Sequence, residues 1–210
     1  MERPIRRKHR SSTAMSASPI SAAALDQLFL SARTHREWAP TPLTDDELRA
    51  VYDLLRFAPT AGNSVPGRFV FVRSAEAKER LLPAVFAGNV ERVRSAPVTV
   101  LVAEDRRFFE HFPKVAPKWD AARFVTDPAS AEAVAFRNTT LQVAYLILAA
   151  RALGLDCGPM QGFDNAKVDA EFFPDGRWRS NLLVNLGHGA AAPLPPRAQR
   201  LAFEEACQLL

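Results

Sequence analysis

The residues of this chain that could do binding chemistry together are Arg33-Thr34-His35-Arg36, Asn63, Asn89 with Arg92, the run Gly158-Pro159-Met160-Gln161-Gly162, and Arg197 with Arg200. All are read as lying in loops at the boundaries of regular elements. Each alone is explained as well by a solvated charge or a turn former. As a set they suit an anionic, planar, hydrogen-bonding ligand. Arginine forks with a threonine hydroxyl grip phosphate, asparagine amides meet ring carbonyls or N–H groups, and a glycine-rich loop lets backbone approach a ring.

Other chemistries find less support. Gly187-His188-Gly189-Ala190-Ala191-Ala192 follows a strand and fits G-x-G-x-x-A. A dinucleotide fingerprint, however, needs a helix next and an acid about 20 residues on, and Pro193, Pro195 and Pro196 block that helix. His9, His35, His111 and His188 are scattered and Cys157 and Cys207 isolated, so no metal is expected. Neither cysteine has a neighbouring histidine and no G-x-S-x-G elbow occurs; both cysteines are expected to pack in the core. Asn138-Thr139-Thr140 is a sequon by pattern but falls inside a helix.

The elements that must position these residues follow from hydrophobic pattern. Ser21 to Leu30 reads as one helix with Leu25, Leu28 and Phe29 on a stripe. Thr44 is an N-cap with Asp45, Asp46 and Glu47 behind it, and Leu48, Val51, Leu54 and Leu55 form the apolar face of the helix that follows. Residues 68–72, 98–103 and 182–186 are strands, with a helix from Ala75 to about Phe86 between the first two. Residues 104–128 look like an aromatic loop carrying Phe108, Phe109, Phe112, Trp119 and Phe124. Ala131 to Leu153 is the longest helix, with Val134, Leu141, Tyr145, Leu148 and Ala152 on one stripe and Gly154 as its stop. So broad an apolar surface implies burial on more than one side, often in a dimer. Helices separating short strands indicate an α/β or α+β layered domain.

Composition bounds the alternatives. The formal net charge is +4. Arg3, Arg6, Arg7, Lys8 and Arg10 against Glu2 supply all of it, leaving 22 basic and 22 acidic groups from residue 21 onward. The basic balance therefore belongs to a tail over 1–20, read as disordered, with Met15 a plausible start, and not to a nucleic-acid face of the 21–210 domain. Gln142 and Tyr145 break the longest apolar run, so no membrane span is expected. Two cysteines suggest a reducing, cytoplasmic setting.

Five segments carry a resemblance: ARTHREW, APTAGNSVPGRFVF, AFRNTTLQVAYLILAARALGLDCGPMQGFD, SNLLVNLGHG and RLAFEEACQLL. Over nearly all of 22–210 the chain resembles the FMN-dependent nitroreductase family, and within it the malonic semialdehyde reductases of bacterial pyrimidine degradation. The resemblance implies an α+β, nitroreductase-like fold: a central, mostly antiparallel sheet flanked by helices, in a homodimer that exchanges its C-terminal arms. It also implies FMN as cofactor, NADPH or NADH as hydride donor, and no catalytic side chain. Carried over by motif, Arg33, Thr34 and Arg36, with His35 by adjacency, meet the FMN phosphate and the flavin's pyrimidine edge. Asn63 covers the flavin from the other subunit, Asn89 and Arg92 meet its N1–C2 and N3 edge, and the backbone of Met160, Gln161 and Gly162 faces N5. Arg197 and Arg200 close on the phosphate. For a small aldehyde acid such as malonic semialdehyde, Lys118 or Arg123 is a candidate anchor under a roof of Phe108, Phe109 and Phe112; a general nitro or quinone reductase is the alternative. The chain departs from the family pattern at Ala32, where a first arginine is common, at Gly67, where an aromatic often follows proline, and at Gln161, where glutamate is common.

Overall fold

The computed structural model describes residues 18–191 and 193–210. The expected disordered tail falls almost wholly outside those residues.

Four strands form one sheet: Gly67–Val72 (β1), Val98–Asp105 (β2), Asp156–Met160 (β3) and Trp178–Gly187 (β4), in the order β1-β2-β4-β3. Among the described residues the three ladders between these strands are antiparallel. β2, rich in valine, is buried at every position, as a central strand covered on both faces must be. Its side chains alternate between two cores. Val98, Val100 and Val102 pack with Leu48, Val51, Val143 and Leu146. Leu101 and Ala103 pack with Leu81, Val93, Val168 and Leu183.

The helices are Ala22–Leu25 (α1), Asp45–Leu55 (α2), Ala75–Leu81 (α3), Ala87–Ser95 (α4), Phe112–Val115 (α5), Ala122–Thr126 (α6), Pro128–Ala152 (α7), Asn165–Phe172 (α8) and Phe203–Ala206 (α9). α1 does not run on as α-helix to Leu30: residues Asp26–Leu30 widen into a π turn closed by Ser31 N–H donating to Asp26 O at 2.9 Å. α2 starts at the expected capping box, where Glu47 N donates to Thr44 Oγ1 and Thr44 N to Glu47 Oε2. Leu48, Val51 and Leu55 are buried, but Leu54 is exposed. The helix expected from Ala75 to Phe86 gives way to a 3-10 turn at Leu82–Ala84, because Pro83 removes a donor.

α7 is long and apolar enough to cross a membrane by length and composition, contrary to the expectation that Gln142 would break the run. It packs as a core helix, against α2 and all four strands. Its polar residues serve that role: Asn138 Oδ1 accepts from Ala61 N and Gln142 Oε1 from Gly67 N, both at 2.7 Å. The buried face is Ala131, Ala135, Val143, Leu146 and Ala150. Leu141 and Tyr145 of the expected stripe, with Phe136, project from the surface instead.

The aromatic stretch 104–128 is not a loop. Phe108, Phe112 and Phe124 are buried against Ala131 and Ala135 as a third small core, with edge-on ring contacts at 5.1 to 5.8 Å. Gly187 ends β4, and among the described residues the next helix is the single turn α9 beyond Pro193, Pro195 and Pro196. Residues 195–210 are exposed along their whole length.

Candidate functional site

β3 organises the site. Its start receives the segment after α1: Thr34 bridges to Cys157 in parallel, and His35 N donates to Cys157 O at 3.0 Å. The next residues join the exit of β4, where Trp38 bridges to Gly189 and Ala39 N donates to His188 O at 2.8 Å. His35 is wedged in this junction. Its Nε2 lies 3.3 Å from Asp156 Oδ1, and the other oxygen of that carboxylate accepts from Gly189 N at 2.8 Å. A Cβ on Gly189 would stand 1.9 Å from the His35 ring, so only glycine fits there. His35 thus props the backbone that presents its neighbours.

Those neighbours form a basic cleft of about 580 Å³, lined by Arg33, Arg36, Arg151, Arg197 and Arg200. Arg197 Nη2 donates to Leu30 O at 2.6 Å and Ala32 O at 2.8 Å. Arg33 donates to Pro195 O in return, and Arg200 to Ala198 O at 2.8 Å. Among the described residues none of these guanidiniums has a carboxylate within ion-pairing distance. One carboxylate, Glu37, also lines the cleft, but five cations against one acid, most of them held by backbone carbonyls, leave a positive site for an anion. Arg151, which sequence reasoning missed, also lines the cleft: it lies in the last turn of α7, and its Nη1 donates to Leu28 O at 3.0 Å. Its position in the last helical turn before Gly154 was the available signal.

At the other end of β3 the chain turns through Gln161 and Gly162. Asn89 and Arg92 stand beside this turn on α4, not in a loop as expected. Asn89 Nδ2 donates to Gly162 O at 3.2 Å, and Arg92 Nη1 donates to Asn89 Oδ1 at 3.0 Å. The corner is anchored in the core: Asn185 Nδ2 donates to Arg92 O at 2.8 Å, while Thr99 Oγ1 donates to Asn185 Oδ1 at 2.7 Å. A Cβ on Gly162 would come within 2.2 Å of Asn89 Nδ2. Among the described residues the backbone N–H groups of Gln161 and Gly162 have no acceptor, which leaves two adjacent donors for a ligand. Met160 closes β3 opposite Leu183 and packs on the second core. β3 itself, read as loop, separates the two groups by roughly 16 Å for five residues.

The remaining expected residues stand apart. Asn63, at φ 57°, donates through Nδ2 to Val115 O at 2.7 Å and does not reach the cleft of its own chain. Lys118 and Arg123 are exposed, Arg123 lying 4.8 Å over the Phe124 ring. Phe108 and Phe112 are core residues, so the expected roof over a ligand is corrected: buried rings 0% and 2% exposed present no face to it. Cys157 is buried and burial pushes its thiol up to about 12, so it carries no reactive thiolate at neutral pH. Cys207 is exposed, contrary to the expected core role.

The family model described as "Nitroreductase family" matches residues 30–188. The chain belongs to the nitroreductase family. A protein of Rhodopseudomonas palustris (strain TIE-1) is 59% identical over 187 residues, 89% of this chain and 95% of that one. One of Polynucleobacter asymbioticus is 53% identical over 195 residues, 92% and 100% of the two chains. Both carry the provisional name NADH dehydrogenase/NAD(P)H nitroreductase. A solved nitroreductase in complex with FMN, from Exiguobacterium sibiricum 255-15, superposes with a TM-score of 0.78 at 18% identity, covering 94% of this chain and 100% of that one. The nitroreductase-family match takes in Arg33 to Arg36, Asn89, Arg92 and Gly162, and ends before Arg197 and Arg200. The place of those two in the cleft therefore rests on geometry alone.

Proposed function

We propose that this chain is an FMN-dependent NAD(P)H oxidoreductase whose acceptor is a small aldehyde, malonic semialdehyde giving 3-hydroxypropanoate. The observation that carries the cofactor is the pairing across β3 of a cleft rich in arginine with a corner of unspent backbone donors and amides. FMN fits both ends. Arg33, Arg36, Arg197 and Arg200, with Thr34 exposed beside them, hold the phosphate. Asn89 and Arg92 would meet the polar edge of the ring, and the N–H groups of Gln161 and Gly162 would donate to it. When bound, FMN supplies the two-electron chemistry, with NADPH or NADH as donor. The guanidinium of Arg92 would stabilise negative charge developing at the ring edge. No side chain acts as nucleophile.

The functional unit is a cytoplasmic homodimer. The exposed Phe136, Leu141 and Tyr145 of α7 and the exposed arm support this, since apolar surface of that extent seeks a partner. Asn63, Lys118 and Arg123, remote from their own cleft, then serve the partner's. The aldehyde rests on sequence resemblance and on those cations as carboxylate anchors; a general nitro or quinone reductase is the second reading, favoured by the names of the relatives. Relative kcat/KM for malonic semialdehyde, nitrofurazone and a quinone with the flavin-loaded protein decides between them. The aldehyde reading requires malonic semialdehyde to lead and its KM to rise in Arg123→Ala or Lys118→Ala. The cofactor reading requires a yellow protein that loses its flavin absorbance in Arg33→Ala.

A further inference from the structure

Reducing a carbonyl to an alcohol takes more than a hydride. Two electrons and one proton reach carbon as hydride from the bound cofactor, the carbonyl π pair moves onto oxygen, and that oxygen needs a second proton. The groups at the two ends of β3 do not give one readily. Arginine keeps its proton at neutral pH, amide and backbone N–H groups do not release theirs, and His35 lies at the far end of β3, against Asp156.

A carboxyl stands beyond the Gln161 turn. A cavity of about 680 Å³ runs from Gln161 and Phe163 past Asn181 to Glu104, beside the start of α7. Leu183 of β4 faces Met160 of β3 on one side and Leu101 of β2 on the other. Two residues along β4, roughly 7 Å, the register slips and leaves Asn181 without a partner strand residue. Its Nδ2 donates to Glu104 Oε2 at 3.3 Å. Glu104 is 3% exposed and has no cation within ion-pairing distance among the described residues. The charged groups acting on it are Arg179, Glu132 and Asp169. Arg179 and Glu132 hold each other, and Asp169 Oδ1 accepts from Ser180 N at 2.7 Å. Burial outweighs the Asn181 bond and raises the Glu104 carboxyl above its ordinary value. Glutamine would accept the same bond without the cost of burying an acid, so packing alone gives no reason for glutamate here.

We propose that Glu104 is the proton donor of the reaction, giving its proton along this cavity to the oxygen of an acceptor reduced at the Gln161 turn. The inference rests on the flavin reading of that turn. The carboxyl O–H bond breaks as the alcohol O–H bond forms, and the carboxylate left behind takes a proton from water before the next turnover. An alkoxide is more basic than a phenolate, so an aldehyde depends on this donor more than a quinone does.

The test is Glu104→Gln, which keeps the shape and the Asn181 bond and removes the proton. The flavin-loaded protein is reduced with NADPH and then mixed rapidly with malonic semialdehyde, benzoquinone or ferricyanide. Reoxidation is expected to slow about a hundredfold with the aldehyde and about tenfold with the quinone, as loss of a general acid would do. With ferricyanide, which takes electrons and no proton, it should not change. The wild-type rate with the aldehyde should fall as pH rises and Glu104 loses its proton, and that fall should be absent in Glu104→Gln. If the protein reduces the quinone and not the aldehyde, the aldehyde reading falls, and a tenfold loss with the quinone still supports the donor. Equal slowing with all three acceptors makes Glu104 structural and overturns the proposal. Wild-type rates with aldehyde and quinone assign the proton to water and overturn it too, leaving the flavin reading intact. Denaturant unfolding reads the carboxyl without turnover: Glu104→Gln should be the more stable protein at pH 7, and no gain there would show that the site does not favour a protonated acid. A wild-type protein that holds no flavin overturns the flavin reading, and this inference with it.

Discussion

The two ends of β3 are built on different principles. At Cys157 the cations come from exposed segments far apart in sequence, and each is held by the other's backbone: Arg197 on Leu30 O and Ala32 O, Arg33 on Pro195 O. At Gly162 the polar groups hang from the interior, through Thr99, Asn185, Arg92 and Asn89 in sequence. The first end supplies charge and adapts; the second supplies fixed geometry and does not. Phosphate affinity is therefore expected to fall by increments as arginines are removed, and ring placement to fail at a single change.

The sharpest such change is Gly162→Ala. Its methyl would displace the Asn89 amide, and at least a hundredfold loss of FMN affinity is expected in a fluorescence titration, with little change in fold by circular dichroism. A tenfold loss or less would show that the corner gives way, erasing its contrast with the cleft. Next is Arg33→Ala, removing one charged hydrogen-bond donor worth about 1.5–3 kcal/mol, roughly ten- to a hundredfold in Kd. Its effect should shrink as salt is raised, which that of Gly162→Ala should not.

Asn185→Leu tests the anchor from the core side. It strands Thr99 Oγ1 and Arg92 O, for a loss of about 1–3 kcal/mol each by denaturant unfolding. FMN affinity should fall with it, because Asn89 and Arg92 lose their support. Stability lost with FMN affinity intact would make the chain of bonds structural only.

The smallest effect concerns Glu104. Its carboxyl is raised above 4.5, chiefly by burial, so the folded protein favours the protonated form and ionisation at neutral pH costs stability. Glu104→Gln should therefore be more stable than the wild type at pH 7, and the difference should vanish below about pH 4, where the unfolded chain is protonated as well. Its neighbour Asp105 behaves oppositely. Burial would raise it, but hydrogen bonds from Arg177 and the Arg107 backbone and the charge of Arg68 outweigh that and lower it, so its contribution is lost as pH falls below about 4.

What could be read from the sequence tracks where the information resides. β2 and α7 declare themselves by continuous or periodic apolar residues, and α2 by its capping box. β3 does not: DCGPM contains Gly158 and Pro159 and becomes a strand only through its ladder with β4, at an edge where proline is tolerated. α4 and α8 each bury one residue, Val93 and Val168, too few for a visible period. The aromatic stretch misled because a satellite core and a ligand roof require the same residues. Arg33, Arg36, Arg197 and Arg200 were legible as a set by type and resemblance. Their convergence was not, since Arg33 and Pro195 meet across 162 residues of chain.

The central claim is that the arginine cleft holds the phosphate of FMN. It is tested most directly by titrating the flavin-free protein and Arg197→Ala with FMN and with riboflavin, which lacks only the phosphate. The wild type should bind FMN at least a hundredfold more tightly than riboflavin. Arg197→Ala should lose about tenfold or more of that preference through FMN alone, its riboflavin affinity unchanged. Equal affinity of the wild type for both flavins, or a preference that survives in Arg197→Ala, would contradict the account.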